Sequence, residues 1–277
     1  MVNGEGFNRL LLFKKELLFK YSIISNFMKN NVLFLMMLLS ASLIACQTHE
    51  NVKMSENVNE VMVDKSDILM DSVLTAEQQA KLTPDEVIAL LKAGNDEFVS
   101  DSLTVRNNTA KVRRAALGQY PKAVILSCLD SRVPVEDVFH RGIGDVFVGR
   151  VAGNFVNEDM LGSMEFGCKV AGAKVILVLG HEYCGAIKSA IDDVKLGNIT
   201  AMLSKIRPAV TSFSTFSGEK TSKNDAFVHE VCVQNVKLTV QQITAKSPIL
   251  KELVDQQKLK VVGAIYNMNT GKVDFLQ

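Results

Sequence analysis

The sequence predicts an α/β fold in which a mainly parallel central sheet has helices on both faces. Three apolar runs, at 123–126, 146–148 and 175–179, predict buried strands, and helical patterns separate or follow them. Strands that are apolar throughout are typical of parallel sheets covered on both sides. The chain has 277 residues, of which 47% are hydrophobic and 22% charged, as expected for a globular protein.

The predicted domain spans residues 76–277, and its first clear helix begins near residue 84. Thr83 can cap this helix, Pro84 suits its first position, and Glu86 completes a capping box. An apolar stripe follows at helical spacing, formed by Val87, Leu90, Leu91 and Phe98.

The rest of the domain continues this alternation of strands and helices. Three further helices are predicted, at 158–171, at about 184–193 and at 225–246. The chain closes with two runs, 259–266 and 272–276, on either side of a turn that contains Gly271. This arrangement predicts a terminal hairpin.

The first 45 residues have the pattern of a secretory signal. Residues 32–45 are 14 apolar or small residues without charge, preceded by Lys29, whereas a membrane span needs about 20. The segment 43–46, Leu-Ile-Ala-Cys, resembles a bacterial lipobox, in which Cys46 is lipidated and becomes the mature N-terminus. An ordinary signal peptide and an uncleaved anchor are the alternatives. Translation is expected to begin at Met28, with an unusually long segment ahead of the signal as the alternative.

Residues 46–75 are therefore predicted to be a lipidated cysteine followed by a flexible, polar tether. The protein is expected to be exported and to act as a periplasmic or cell-envelope lipoprotein of a bacterium, in contact with the membrane through its lipid only. The net charge of +1 indicates no nucleic-acid partner, and five cysteines are too few for a disulfide scaffold.

Three residues that commonly bind metals stand where predicted strands end. Cys128 follows the first strand, and His181 and Cys184 follow the third. These residues should converge because the carboxyl ends of parallel strands meet in one crevice. Two thiolates and an imidazole suit Zn²⁺ and leave a fourth position for water, so one zinc ion per chain is predicted. A disulfide between Cys128 and Cys184 is the alternative.

Asp130 and Arg132 extend this predicted site. Alternate residues of an extended segment point the same way, so both side chains can share a face with Cys128. Arg132 can keep Asp130 ionised through a bidentate pair, and Asp130 can then orient zinc-bound water. Asp130 could also bind the zinc directly in a closed state, which would block that water.

The segments 128–132 (Cys-Leu-Asp-Ser-Arg) and 181–184 (His-Glu-Tyr-Cys) closely resemble those of the β-class carbonic anhydrases. Residues 150–154 and 263–271 resemble further motifs of that family, so the likeness covers about 80–277. It implies the three-layer fold of that class, with an antiparallel sheet edge. It also implies that Cys128, His181 and Cys184 bind zinc. The implied reaction is the reversible hydration of carbon dioxide to bicarbonate and a proton by zinc-bound hydroxide. Asp130 and Arg132 are implied as the catalytic dyad.

The resemblance further implies a homodimer or an assembly of dimers. The backbone N–H of Gly185, at a helix start, is predicted to contact a bicarbonate oxygen. Arg150 stands where one subgroup binds a non-catalytic bicarbonate beside a Trp, and this chain has no Trp, so such regulation is not expected. Two alternative functions are hydrolysis of carbonyl sulfide or carbon disulfide, and a non-catalytic zinc protein with Asp130 as fourth ligand.

The remaining histidines and cysteines have simpler interpretations. Cys168 and Cys232 are expected to be buried apolar residues, with a disulfide between them left open. His140 is expected to be an exposed structural histidine in preference to a proton shuttle. His229 is expected to face solvent or a partner chain.

Overall fold

The computed structural model describes residues 73–102 and 108–277. The predicted signal, Cys46 and most of the predicted tether lie outside these residues. In the described part, no helix is both long enough and apolar enough to cross a membrane. Five strands form one sheet, in the order β2-β1-β3-β4-β5. They are β1 (Ala123–Ser127), β2 (Val146–Arg150), β3 (Val175–His181), β4 (Lys260–Tyr266) and β5 (Val273–Phe275).

The first four strands are parallel, and β5 pairs with β4 in the antiparallel direction. The mixed sheet with helices around it confirms the predicted fold class. β3 is longer than its apolar run because its pairing with β4 continues to the register pair His181 and Tyr266. This extension places a polar side chain at the carboxyl end of the sheet.

Ten α-helices lie in the described residues. They are α1 (Ala76–Lys81), α2 (Pro84–Val99), α3 (Asn108–Ala115), α4 (Val135–Val138), α5 (Glu158–Glu165), α6 (Gly185–Ile191), α7 (Gly197–Leu203), α8 (Arg207–Thr211), α9 (Asp225–Lys246) and α10 (Pro248–Asp255). A π-helical turn, Phe166–Val170, continues α5, so the helix predicted at 158–171 is present with a change of winding. The capping box at Thr83 and Glu86 is formed as predicted.

The core has two layers, one on each face of the sheet. Successive residues of β1 and β3 alternate between them, so Val124 and Ile176 belong to one layer and Ile125 and Leu177 to the other. The first layer also contains the buried residues of α9, which packs across β3 and β4. Burial on both faces explains why the strands are apolar throughout.

Helix α9 is the longest helix of the described residues and the one most relevant to the site. The Asn224 side chain caps its start by accepting a hydrogen bond from the Phe227 N–H, and Ser247 ends it. The Ser247 hydroxyl also caps α10 by accepting from the Leu250 N–H at 3.1 Å. A side chain therefore caps the start of α9, and at its end the Ser247 N–H donates to the Ile243 carbonyl.

Candidate active site

The three predicted metal ligands converge at the carboxyl end of the sheet. Cys128 follows β1 directly, His181 is the last residue of β3, and Cys184 precedes α6. Their ligand atoms all lie within 4.8 Å of one another, and the three residues are buried. The two sulfur atoms are 3.9 Å apart and both cysteines are free, so the alternative of a disulfide here is not supported.

The turn between His181 and Cys184 depends on one left-handed residue. Glu182 still pairs with β4, since its N–H donates to the Tyr266 carbonyl at 3.0 Å. Tyr183 then has φ of +55°, a conformation that few non-glycine residues adopt. The chain reverses at this point and brings the Cys184 sulfur back over the end of β3.

The orientation of His181 leaves one ring nitrogen available for a metal. Its Nδ1 lies 2.8 Å from the Glu182 carbonyl oxygen, which can only accept, so Nδ1 carries the proton. Nε2 is buried and has no hydrogen-bond partner among the described residues. A buried imidazole nitrogen with a free lone pair beside two thiols fits a metal ligand, and the carbonyl contact is the usual means of fixing such a ring.

Within the cysteine pair, Cys128 has the more acidic thiol. The Cys184 side chain donates a hydrogen bond that lowers the pKa of Cys128, and the Gly153 N–H, 3.3 Å from the Cys128 sulfur, lowers it further against the effect of burial. The pKa of Cys184 is raised because it supplies that hydrogen bond and is buried. Two thiolates on one tetrahedral Zn²⁺, each about 2.3 Å from it, stand about 3.8 Å apart. The observed spacing of 3.9 Å therefore fits zinc.

Asp130 and Arg132 form the predicted bidentate pair. Arg132 Nε donates to Asp130 Oδ1 at 2.9 Å and Nη2 donates to Oδ2 at 2.7 Å. These hydrogen bonds lower the pKa of Asp130 to about 2. The Oδ2 atom lies 3.9 Å from His181 Nε2, so the carboxylate stands beside the metal ligands.

The local conformation that presents this pair differs from the prediction. Residues 128–132 are not extended: the Val133 N–H donates to the Asp130 carbonyl, and the Arg132 N–H donates to the Asp130 side chain at 2.9 Å. The segment is a turn in which an aspartate binds the backbone two residues on. The expectation of alternating side chains was therefore wrong, although the pair it predicted is present.

Arg150, at the end of β2, holds this turn. It donates to the carbonyl oxygens of Cys128 at 2.9 Å, Asp130 at 2.5 Å and Val133 at 2.9 Å. Its guanidinium is thus engaged with the backbone of the turn. Gly185 is the first residue of α6 and is exposed, and a Cβ added there would meet nothing within 4 Å. Space for a small molecule therefore exists beside Cys184.

Three contacts from α9 were not found by sequence reasoning. His229 Nδ1 lies 2.7 Å from Glu182 Oε1, the Cys232 sulfur donates to the His181 carbonyl at 3.3 Å, and Asn235 Nδ2 donates to the Gly153 carbonyl at 2.9 Å. Positions 229, 232 and 235 recur every three residues and so share one helix face. This spacing could have predicted that the three residues act from one face of the helix. It did not indicate which loops that face would contact.

The structure corrects one expectation and confirms others among the remaining residues. His140 was predicted to be exposed, which is wrong: it is buried and forms an ion-pair contact with Glu97 of α2, so the loop that holds it is packed against that helix. Cys168 and Cys232 are buried and free, so no disulfide joins them. The His229 side chain is 43% exposed, in agreement with the expectation that it faces solvent or a partner chain.

Comparison with known proteins assigns these features to a family. A family model described as carbonic anhydrase matches residues 123–273. A carbonic anhydrase of Mycolicibacterium smegmatis is 34% identical over 191 residues, which cover 66% of this chain and 89% of that protein. Carbonic anhydrase 2 of Mycobacterium tuberculosis is 32% identical over 188 residues, with coverage of 66% and 87%.

A solved structure agrees with these sequence matches. A Coccomyxa β-carbonic anhydrase in complex with acetazolamide superposes with a TM-score of 0.55 at 25% identity, and the match covers 69% of this chain and 85% of that one. The region matched by the family model contains Cys128, Asp130, Arg132, His181 and Cys184.

Proposed function

The chain belongs to the β class of the carbonic anhydrase family, and on that premise we propose that it catalyses the reversible hydration of carbon dioxide to bicarbonate and a proton. The observation that carries the proposal is the buried set of Cys128, His181 and Cys184 with the Asp130 carboxylate beside it. No single element of the fold contains this set, so its assembly depends on the whole sheet.

We propose that one Zn²⁺ per chain is held by Cys128, His181 and Cys184. Zinc bound there supplies one piece of chemistry: it lowers the pKa of a coordinated water molecule toward about 7, so that hydroxide is available near neutral pH. Three protein ligands leave room for that water, whereas a structural zinc site has four. Asp130 could supply a fourth ligand only in a closed state, after leaving Arg132.

Asp130 is proposed to orient the attacking oxygen without taking its proton. With a pKa of about 2, its carboxylate is far too weak a base to hold a proton at neutral pH. It remains an acceptor of hydrogen bonds, and Arg132 fixes the direction of both carboxylate oxygens. A hydrogen bond from the attacking oxygen to Asp130 would leave a lone pair directed at carbon dioxide.

The open side of Cys184 is proposed to receive the product. The Gly185 N–H lies at the start of α6, where backbone donors favour an anion, and Gly185 has free space around it. A bicarbonate oxygen is the proposed acceptor. A Gly185→Pro variant, which lacks that N–H, should raise the KM for bicarbonate more than that for carbon dioxide.

A homodimer or an assembly of dimers is proposed for the functional protein. β2 forms an edge of the sheet, and all five of its residues are only half-buried in a single chain. Leu129, beside Asp130, is 66% exposed. An open strand edge and apolar residues near the site are features that a second chain could cover. Sedimentation at several concentrations would test this assembly.

Export and lipidation are proposed on sequence grounds alone. The signal would comprise residues 1–45, with Cys46 and the tether to residue 75 linking a lipid to the zinc domain at 76–277. The mass of the mature N-terminus, with a Cys46→Ser variant as control, tests this proposal. An unmodified N-terminus or cleavage at another residue would contradict it.

The decisive test of function combines stopped-flow hydration of carbon dioxide with metal analysis of the purified protein. One zinc per chain with fast hydration supports the proposal. An Asp130→Asn variant should retain zinc and lose most of its turnover. Zinc without hydration at any pH would refute the proposal and direct the same assay to carbonyl sulfide and carbon disulfide, or to a non-catalytic role.

A further inference from the structure

Gly153, in the loop after β2, contacts one of the proposed metal ligands directly. Gly153 donates its N–H to the Cys128 sulfur at 3.3 Å, and its carbonyl accepts from Asn235 Nδ2 at 2.9 Å. The two polar groups of one glycine thus connect a proposed zinc ligand to helix α9. Asn235 is only 3% exposed and lies 82 residues away along the chain, so this is a long-range contact inside the core.

Two successive residues of this loop have an uncommon backbone conformation. Gly153 has φ of +83° and Asn154 has φ of +39°, so two successive residues are left-handed. Asn154 is fully buried, and neither polar atom of its side chain has a hydrogen-bond partner in the described parts of the chain. The neighbouring side chain therefore does not hold the Gly153 peptide.

Apolar packing also restricts Gly153. A Cβ added to this glycine would lie 2.3 Å from Ile206 Cδ1, so the backbone is pressed close to the residue that precedes α8. Apolar contact of this kind has no preferred direction for the peptide dipole. Two hydrogen bonds on the Gly153–Asn154 peptide do have one. The Asn154 N–H donates to the Val151 carbonyl at 2.9 Å and Asn235 Nδ2 donates to the Gly153 carbonyl, so together they set the direction of that carbonyl.

We propose that Asn235 is a positioning residue of the metal site: its side-chain amide holds the Gly153 carbonyl so that the Gly153 N–H points at the Cys128 sulfur. This inference rests on the proposed zinc site. Cys232, one turn earlier on the same helix face, donates to the carbonyl of His181. Helix α9 therefore contacts the backbone of one proposed ligand, His181, and the backbone of Gly153, which donates to a second, Cys128.

An Asn235→Leu variant tests the proposal because it removes the donor at similar volume. Zinc affinity measured by chelator competition should fall about 10- to 100-fold, the usual effect of losing a residue that orients a metal ligand. The thiolate-to-metal absorption of the cobalt-substituted protein should also shift, because the Cys128 sulfur loses its fixed N–H donor. Both readouts are independent of turnover.

Thr239→Val is the matched control, since Thr239 lies one turn further along α9 and is as deeply buried as Asn235. It should bind zinc as the unaltered protein does and show the same cobalt spectrum. If Asn235→Leu does not fold, Asn235→Ser provides the test, because its hydroxyl is too short to replace the amide and the substitution is smaller.

The outcomes distinguish this inference from the proposed function. A lower melting temperature with zinc affinity within twofold and an unchanged cobalt spectrum would show that Asn235 only stabilises the fold, which overturns the inference alone. An unaltered protein that binds no zinc would overturn both. Weaker zinc binding and a shifted spectrum, confined to the Asn235 variants, support the inference.

Discussion

Replacing Arg132 with alanine removes both side-chain hydrogen bonds to the Asp130 carboxylate, at 2.9 Å and 2.7 Å. The backbone N–H of residue 132 still donates to Asp130 Oδ1 at 2.9 Å, so the turn should survive. The Arg132 side chain is 58% exposed, and its loss should therefore change the melting temperature little. This substitution separates the orientation of Asp130 from the folding of the domain.

The expected loss of activity follows from what Asp130 can then do. Its pKa should rise from about 2 toward the ordinary value of 3.8, which leaves it ionised at neutral pH. Its Oδ2 is already 3.9 Å from His181 Nε2, so the released carboxylate can turn toward the metal position. We expect kcat to fall about 100- to 1,000-fold, the range for loss of one oriented catalytic group, with zinc content unchanged.

Stopped-flow hydration on zinc-loaded proteins measures this effect. Arg132→Lys keeps the charge without the planar fork, so an intermediate loss is expected. Arg207→Ala is the control, because Arg207 also pairs with an aspartate, Asp193, at 2.8 Å but outside the loops that form the site. A kcat for Arg132→Ala within tenfold of the unaltered protein, at full zinc content, would refute the orienting role.

Three further predictions concern the backbone at the site and an ion pair at the opposite end of the sheet. Gly153→Ala should lower both zinc affinity and melting temperature, because its Cβ would lie 2.3 Å from Ile206 and the φ angle is +83°. Chelator competition and thermal unfolding measure these two effects. Unchanged values of both would contradict the prediction. Tyr183→Val should reduce zinc binding, whereas Tyr183→Asn should retain it, since a φ of +55° suits asparagine but not a β-branched residue. Equal zinc affinities of the two variants would argue against backbone strain at this position. Burial opposes ionisation of Asp145, but Lys122 at 2.6 Å lowers the pKa of Asp145 below the usual 3.8. The ionised Asp145 therefore contributes its full stabilisation at pH values above 3.8. This stabilisation is lost as the pH falls through the lowered pKa. Asp145→Asn should therefore lower the melting temperature at pH 7 and lower it less below pH 4, and a difference independent of pH would be inconsistent with this ion pair.

The sheet could be predicted because strands that are buried on both faces are apolar at successive positions. The run 175–179 is apolar without interruption, and only a strand covered on both faces requires that. The end of β3 was harder to place. Its last pair, His181 with Tyr266, depends on a partner strand 85 residues later in the chain, and no local pattern contains that information.

Polar contacts account for the two errors described above, and one of these contacts is local while the other is long-range. The Asp130 side chain binds the backbone N–H of Arg132, which turns a segment that otherwise reads as extended. This signal is local and could have been recognised from an aspartate two residues before an arginine. The burial of His140 could not, because it depends on the contact with Glu97, 43 residues earlier, across the packing of α2.

The chemistry available to this protein could be predicted without a structure: two thiols, one imidazole and a carboxylate with an arginine two residues away, each placed after a predicted strand or at a helix start. These are properties of residue type and short spacing, and they need no knowledge of packing. The hydrogen bonds from Asn235 to the Gly153 carbonyl and from Cys232 to the His181 carbonyl could be seen only in the folded chain. Such contacts arise when a helix packs across a sheet, and the free energy of that packing depends on the whole core and not on any one segment.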